Sequence, residues 1–318
     1  MKNYKKLTLL AVLGLALVPL AAQERVTVYG IRGPSGLSMI RLFEYPPRVS
    51  GFDIKTEALA QADLAAARFI SGEAKMGMLP PNAAAKIAAS GKRLQAAAVT
   101  GLGMLSLLSS DPSVRRIEDL RGKTVEAAGQ GATPDYVLRK ILLSKGINPD
   151  RDLRIGYSLA YPEIARSLIA GRIGTALLPE PFASMARAGK PDLAVIGDIQ
   201  DEWARAAGGS GRNYPMTVFV VDADFAASRP LLIKAILASL KESVEWVIAN
   251  PAAAGSLAEK HDLGISAEIA ALAVPRSNYA YIPAEEARPA LEALFRAFLE
   301  FSPSSIGGVL PSDAFYYR

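Results

Sequence analysis

The chain has 318 residues, of which 50% are hydrophobic and 21% are charged, a balance typical of a globular protein with roughly two domains. It contains no cysteine and a single histidine, which excludes disulfides, thiol catalysis, a cysteine-linked lipid anchor and Cys- or His-rich metal sites. The formal net charge of +5 falls to +2 without residues 1–22, which hold three lysines and no acid, and so small a charge argues against nucleic-acid binding.

The first 22 residues have the pattern of a secretion signal. Three lysines precede an apolar stretch at 7–20, and small residues up to Ala22 predict a cleavage site. A retained membrane anchor is the alternative, but this stretch is shorter than the roughly 20 residues that span a bilayer. We therefore expect a signal peptide at 1–22, cleaved near Ala22, and a soluble protein in a bacterial periplasm.

Strands and helices alternate along the next part of the chain. Strands are predicted at 25–31, 52–56, 75–79 and 94–99, and helices at 37–43, 59–71 and 82–90. Gly72 predicts the end of the second helix. This alternation indicates an α/β architecture with a largely parallel sheet.

A similar order returns about 99 residues later. Strands are predicted at 124–127, 153–157 and 174–178, with helices at 134–144, 162–170 and 182–188. Gly72 corresponds to Gly171, each after a predicted helix, and Pro80 corresponds to Pro179, each after a predicted strand. Coincidence in an alanine-rich chain is the alternative, but these matches favour two lobes built from one repeated unit. Thr133 is predicted to cap a helix that has Pro134 at its first position.

The pattern changes near residue 214. A strand is predicted at 216–221, and the rest is mostly helical, at 230–249, 252–261, 267–273 and 284–301. We expect this tail to return to the first lobe and complete it.

Four loops follow a strand and precede a helix, at 33–36, 79–82, 129–133 and 179–181. Ligands of open parallel sheets bind beyond the carboxyl ends of the strands, where helix starts offer free N–H groups. If the lobes face each other, the four loops converge on one cleft. The predicted ligand-binding residues in or near it are Ser35, Gly36, Pro80, Asn82, Gly131, Thr133, Tyr157, Glu180 and Tyr214. For Ser35 and Thr133 helix capping is an equal alternative, and for Glu180 an ion pair with an arginine of the other lobe.

The sequence offers little enzyme chemistry. The 129–134 loop lacks the Gly-Lys-Ser/Thr ending of a phosphate loop, and there is no Gly-x-Ser-x-Gly nucleophile motif. His261 lies in a polar helix end and is expected to be solvated rather than catalytic. We predict no catalytic residue, no metal site and no cofactor.

Several motifs together resemble a known group of proteins. They are Asp119-Leu-Arg-Gly-Lys-Thr-Val125, the 129–134 loop, Leu178-Pro-Glu-Pro-Phe-Ala183, Tyr214-Pro-Met216, Asn250-Pro251 and the ending from Gly307-Gly308 to Phe315-Tyr316. In this order they resemble the periplasmic solute-binding proteins of ABC importers, in the nitrate, sulfonate, taurine and thiamine-precursor group. The resemblance runs from about Arg25 to the C-terminus.

The resemblance implies the type II periplasmic-binding-protein fold, in which two Rossmann-like α/β lobes are joined by a two-crossing hinge and close on a ligand. Lobe one is expected at 24–104 and 216–318, and lobe two at 105–215. It further implies that Ser35 and Thr133 hold the ligand's head group. The partners implied are a small-molecule ligand and the permease and ATPase subunits of an importer, and we expect a monomer. The chain departs from many relatives in having no lipid-anchor cysteine.

Three functions are compatible with these features of the sequence. Transport of a small organic nutrient, either a heterocyclic vitamin or precursor or an organosulfonate, is favoured. A sensory receptor that feeds a membrane signalling protein is the second, and an enzyme on the same fold is the third. Related enzymes depend on cysteine or several histidines, which this chain lacks.

Overall fold

A computed structural model describes residues 23–207 and 213–318, so the predicted signal peptide at 1–22 lies outside the described residues. The strands are β1 (Glu24–Ile31), β2 (Phe52–Leu59), β3 (Met76–Leu79), β4 (Leu94–Gly101), β5 (Leu105–Ser109), β6 (Thr124–Glu126), β7 (Arg154–Gly156), β8 (Thr175–Pro179), β9 (Ala194–Val195), β10 (Thr217–Asp222) and β11 (Tyr279–Pro283). The helices are α1 (Pro34–Ser38), α2 (Ile40–Glu44), α3 (Ala62–Ser71), α4 (Pro81–Ala89), α5 (Thr133–Ser144), α6 (Tyr161–Ile169), α7 (Phe182–Gly189), α8 (Ile199–Ala206), α9 (Ala223–Ser228), α10 (Pro230–Ala249), α11 (Pro251–Lys260), α12 (Ala267–Ala273) and α13 (Ala284–Phe301).

These strands form two sheets. The first has the order β11-β4-β10-β3-β1-β2 and the second the order β7-β6-β8-β5-β9. In the first sheet β1 runs parallel to β2 and β3, and in the second β6 runs parallel to β7 and β8. In the first sheet the antiparallel strand β10 lies beside β3, and in the second sheet the antiparallel strand β5 lies beside β8. The α/β fold with two lobes is therefore confirmed.

The 99-residue repeat is visible in this topology. Helix α3 corresponds to α6 and strand β3 to β8, and each pair occupies the same place in its lobe. Gly72 and Gly171 follow the two helices with φ values of 83° and 68°, which glycine adopts without strain. The glycines at these two helix ends thus mark two copies of one supersecondary unit.

The chain crosses between the sheets twice, from β4 to β5 and from α8 to β10. The strand that follows each crossing is the antiparallel strand of the sheet it enters. Strands before residue 102 and after 216 therefore belong to one sheet, and those between belong to the other. The residue limits of the lobes, 24–104 with 216–318 and 105–215, stay a prediction that rests on this division.

The lobes also touch on two sides away from the crossings. On one side Tyr136 of α5 packs edge-on against Phe298 of α13, with ring centroids 4.9 Å apart, and stacks on Phe301 at 5.7 Å. The Lys140 ammonium lies 2.5 Å from the Glu300 carboxylate beside these rings. On the other side α7 contacts α12. These contacts join the two lobes outside the crossings.

Three strands are not predicted from the sequence. They are β5, β9 and β11, and each pairs with strands that are distant in sequence.

Among the residues that the structure describes, no helix combines the length and the apolar character of a membrane span.

Candidate functional site

The starts of α4 and α5 meet across the lobes. The Asn82 side-chain amide donates a 3.5 Å hydrogen bond to the Gly131 carbonyl oxygen. The two residues belong to loops that follow β3 of the first sheet and β6 of the second, so two predicted ligand loops come together as the strand directions suggest. We call the region between the 33–36, 79–82, 129–133 and 179–181 loops the interlobe gap.

Two polar atoms at this meeting point have no hydrogen-bond partner. Asn82 Oδ1 and the Thr133 hydroxyl are both buried and unpaired in the part of the chain that the structure describes. Thr133 is 2% exposed. The predicted capping role of Thr133 is wrong, because Ala132 is the cap residue and α5 begins at Thr133 itself. An unpaired buried hydroxyl costs free energy, so a bound group at this position would recover it.

Asp135 organises the second-lobe loop. Its Oδ2 accepts the Gly131 backbone N–H at 2.8 Å, and its Oδ1 accepts Arg139 Nε at 2.6 Å and the Tyr157 hydroxyl. Arg139 also donates to Asp150 at 2.7 Å. Burial raises the pKa of Tyr157, and the Asp135 carboxylate raises it further. Asp135 was not predicted as a site residue, although an acid in the first turn of a helix is a usual N-terminal signal.

Ser35 and Gly36 lie in the short helix α1, and both are buried. The Ser35 hydroxyl donates to the Ile31 carbonyl at 3.2 Å, and Gly33 is the cap residue, so Ser35 is not a cap. A Cβ on Gly36 would come within 2.6 Å of the Ile31 carbonyl oxygen. Glycine is therefore required for close packing of α1 on the end of β1.

Glu180 lies at the end of β8 and is 1% exposed. Its Oε2 accepts the Ser184 backbone N–H at 3.0 Å. Burial raises its pKa, while hydrogen bonds from Ser184 and the more distant charges of Arg276 and Arg187 oppose that rise. Within residues 23–207 and 213–318 no salt bridge to Glu180 is present, so the alternative of an arginine partner is not observed there.

Tyr279 contacts the Ser35 loop and lies within electrostatic range of Glu180. Its hydroxyl donates to the Pro34 carbonyl at 2.9 Å, and the Glu180 charge adds to the effect of burial in raising its pKa. Tyr279 belongs to β11, in the returning tail of the chain. Because β11 was not predicted, Tyr279 was missed as a residue of the site.

Aromatic rings line the second-lobe side. Tyr161 stacks on Phe182 with centroids 5.9 Å apart, and its hydroxyl donates to the Ala128 carbonyl at 3.1 Å. Phe182 is the first residue of α7, directly after the 179–181 loop, and a Cβ on Gly129 would lie 3.5 Å from the Tyr161 hydroxyl, so the pair adjoins both second-lobe loops. Tyr214 lies apart from it, fully buried at the second crossing, where it packs on Trp203 and donates to Gln200 at 3.1 Å.

The structure thus brings Asn82, Gly131 and Tyr157 together with the Thr133 loop through hydrogen bonds, and it bonds Tyr279 to Pro34, the residue before Ser35. Pro80 is the cap residue of α4, beside Asn82. As ligand contacts, all nine predicted residues stay predictions.

Other parts of the surface offer weaker candidates. A cavity of about 460 Å³ lies at the opposite edge of the first sheet, where β1 begins and β10 ends. Four of its charged side chains form two salt bridges, Lys75 with Asp222 at 3.3 Å and Arg229 with Glu24 at 2.8 Å. No cluster of three potential metal ligands occurs within the described ranges. We therefore place the candidate site at the interlobe gap.

His261 is only partly exposed and is bonded to Glu44, whereas the sequence predicted a solvated side chain. Its Nε2 lies 2.8 Å from a Glu44 carboxylate oxygen, and its ring packs edge-on against Phe43. Hydrogen bonds from Lys260 and His261 lower the pKa of Glu44. This pair joins α11 to α2 and lies outside the group of loops that forms the gap.

Comparisons with known proteins agree with this architecture. The NMT1-like family matches residues 82–260, more than half of the chain. No match was found among curated proteins. An ABC transporter protein from Parabacteroides distasonis superposes with a TM-score of 0.77 at 23% identity, covering 93% of this chain and 99% of that one.

Two sulfonate-binding proteins have the same fold. The periplasmic aliphatic sulphonate binding protein SsuA of Escherichia coli superposes with a TM-score of 0.70 at 16% identity, over 90% of this chain and 94% of that one. The alkanesulfonate-binding protein SsuA of Xanthomonas axonopodis pv. citri, bound to MOPS, gives 0.67 at 16% identity, over 93% and 97%. At these identities the likeness concerns the fold. The chain belongs to the NMT1-like family and has the type II periplasmic-binding-protein fold that its sequence resemblance predicted.

Proposed function

We propose that the chain is an extracytoplasmic solute-binding protein that captures a small organic nutrient between its two lobes and delivers it to an ABC permease. The single observation that carries the proposal is the meeting of the Asn82 and Gly131 loops, which belong to different sheets and leave two buried polar atoms unpaired. The family match and the fold of the neighbouring structures support it.

In this proposal the protein acts in the periplasm as a monomer without a lipid anchor, and the permease and its ATPase are its partners. The ligand is a heterocyclic vitamin or precursor or an organosulfonate. The lobes supply polar groups and a stacked Tyr161–Phe182 pair, which suit a small planar molecule. In this proposal binding involves neither catalysis nor a cofactor.

The test is ligand stabilisation. A thermal-shift screen of vitamins, pyrimidines and sulfonates should find a compound that raises the melting temperature, because a ligand of the folded state stabilises it by mass action. The bound compound should also persist unchanged, as judged by mass spectrometry. If no compound stabilises the protein, or if the compound is converted to a product, the proposed function is wrong.

Two substitutions test the position of the site. Thr133→Val and Ser35→Ala should weaken binding of that compound by about tenfold each, as expected for a lost hydrogen bond in a buried site. Thr133→Val should leave stability unchanged or raise it, because the hydroxyl has no partner to lose. Thr124→Val, at an exposed position of β6, is the matched control. If both variants retain full affinity, the site is misplaced.

A further inference from the structure

We propose that the interlobe gap selects a solute that donates hydrogen bonds and is neutral or positively charged, and that it rejects anions such as sulfonates and nitrate. The inference rests on the proposed function and specifies the chemistry of the solute. It follows from the charges and free polar atoms on the loops that form the gap.

Glu180 places a carboxyl group at the junction of the lobes. It is 1% exposed, and it accepts a hydrogen bond from the Ser184 backbone N–H. Within the described residues no salt bridge reaches it, and the charges of Arg276 and Arg187 act on it only from a longer distance. It interacts electrostatically with Tyr279, which is bonded to the Ser35 loop of the first lobe. A buried carboxylate without a cation partner is stabilised by a donor or a cation and destabilised by an anion.

The start of α5 carries the negative charge of Asp135 at the place where a helix N-terminus often binds an anion. The Asp135 carboxylate already accepts the Gly131 N–H at 2.8 Å, so an anion there would compete with it and meet its charge. Arg139 cannot compensate, because Nε and Nη1 of its guanidinium bind Asp135 and Asp150 at 2.6 and 2.7 Å.

The unpaired atoms point to the same class of solute. Asn82 uses its amide N–H on the Gly131 carbonyl and leaves its oxygen free, so it offers an acceptor. The Thr133 hydroxyl, which is 2% exposed, can accept or donate. The loops of the gap thus carry acceptor oxygens on Asn82, Thr133 and Glu180, and acceptors of this kind suit an amine, an amidine or a ring N–H.

The experiment compares two sets of probes on the wild-type protein. The donor set is benzamidine, benzylamine, cytosine and adenine, and the anion set is benzenesulfonate, ethanesulfonate, nitrate and MOPS, each at millimolar concentration. We expect at least one donor to raise the melting temperature and to bind measurably by calorimetry, and no anion to do so. An anion that binds as tightly as the best donor overturns the inference and leaves the proposed function standing. If neither set nor the wider screen yields a ligand, the proposed function fails and the inference with it.

A substitution tests the role of the carboxyl group. Glu180→Gln keeps an acceptor for the Ser184 N–H but removes the charge, and it should weaken the best donor by about tenfold. Glu245→Gln is the matched control, because Glu245 is exposed and pairs with Lys241 on α10, outside the gap. Circular dichroism and the melting temperature establish that both variants fold. A change of less than about twofold for Glu180→Gln would overturn the assigned role of this residue, and the two probe sets test charge preference without any substitution.

Discussion

The Asp135 network gives the most direct test of how the second-lobe loop is held. Tyr157→Phe removes one hydrogen bond to the buried Asp135 carboxylate and leaves the ring in place. Because the bond is charge-assisted but the ring is only half-buried, we expect a loss of about 1 to 2 kcal/mol in the free energy of unfolding. Asp135→Asn removes the charge beside Arg139, whose side chain is 16% exposed. Arg139 retains the exposed Asp150 as a screened partner, so we expect a loss of about 2 to 3 kcal/mol.

Urea denaturation followed by tryptophan fluorescence measures these losses, because Trp203 is buried in the second lobe and its emission changes on unfolding. The double variant should lose less than the sum of the single losses, by about 1 kcal/mol, because Asp135 and Tyr157 share one bond. Tyr45→Phe, at a residue 64% exposed, is the control and should change stability by less than about 0.5 kcal/mol. A Tyr157→Phe loss no greater than that of the control, with additive single losses, would refute the network.

Three further outcomes are expected. Gly36→Ala should cost about 1 to 3 kcal/mol in calorimetric unfolding, since its Cβ would lie 2.6 Å from the Ile31 carbonyl oxygen, and an unchanged stability would contradict this packing. Phe298→Ala should lower the free energy of unfolding by about 3 to 5 kcal/mol, as measured by urea denaturation. Leu231→Ala, at a residue 77% exposed, should leave it nearly unchanged, and equal losses would argue against the contact between the lobes. The melting temperature of Glu180→Gln should exceed that of wild type by an amount that grows as pH rises from 4.5. The reason is that burial raises the pKa of Glu180 in the folded state, so ionisation of its carboxyl group destabilises the folded wild-type protein. A difference in melting temperature that is independent of pH would contradict this argument.

Local signals predict the repeated unit well. Gly72 and Gly171 end equivalent helices, and the apolar runs before Pro80 and Pro179 form equivalent strands. Strand–helix alternation and glycine positions depend on nearby residues, so one sequence is enough to place them.

Interactions between distant residues explain what the sequence did not reveal. Strand β11 pairs with β4 across nearly 180 positions, and it brings Tyr279 to Pro34. No local propensity encodes this pairing, so both the strand and the tyrosine were missed. His261 was interpreted from its polar neighbours, whereas its environment is set by Glu44 on another helix. The capping prediction for Thr133 failed for a different reason, because the helix begins one residue earlier than the cap pattern suggests.

The repeat also explains how two similar lobes can present different chemistry to one ligand. At the offset of 99 residues, Pro80-Pro81-Asn82 corresponds to Pro179-Glu180-Pro181, so the same strand-to-helix loop carries an amide in one copy and a carboxyl group in the other. The scaffold places both loops at the carboxyl ends of their strands, and the side chains then decide which ligand groups they accept. Exchange of one acid for its amide therefore changes the charge of the gap while leaving the fold that forms it intact.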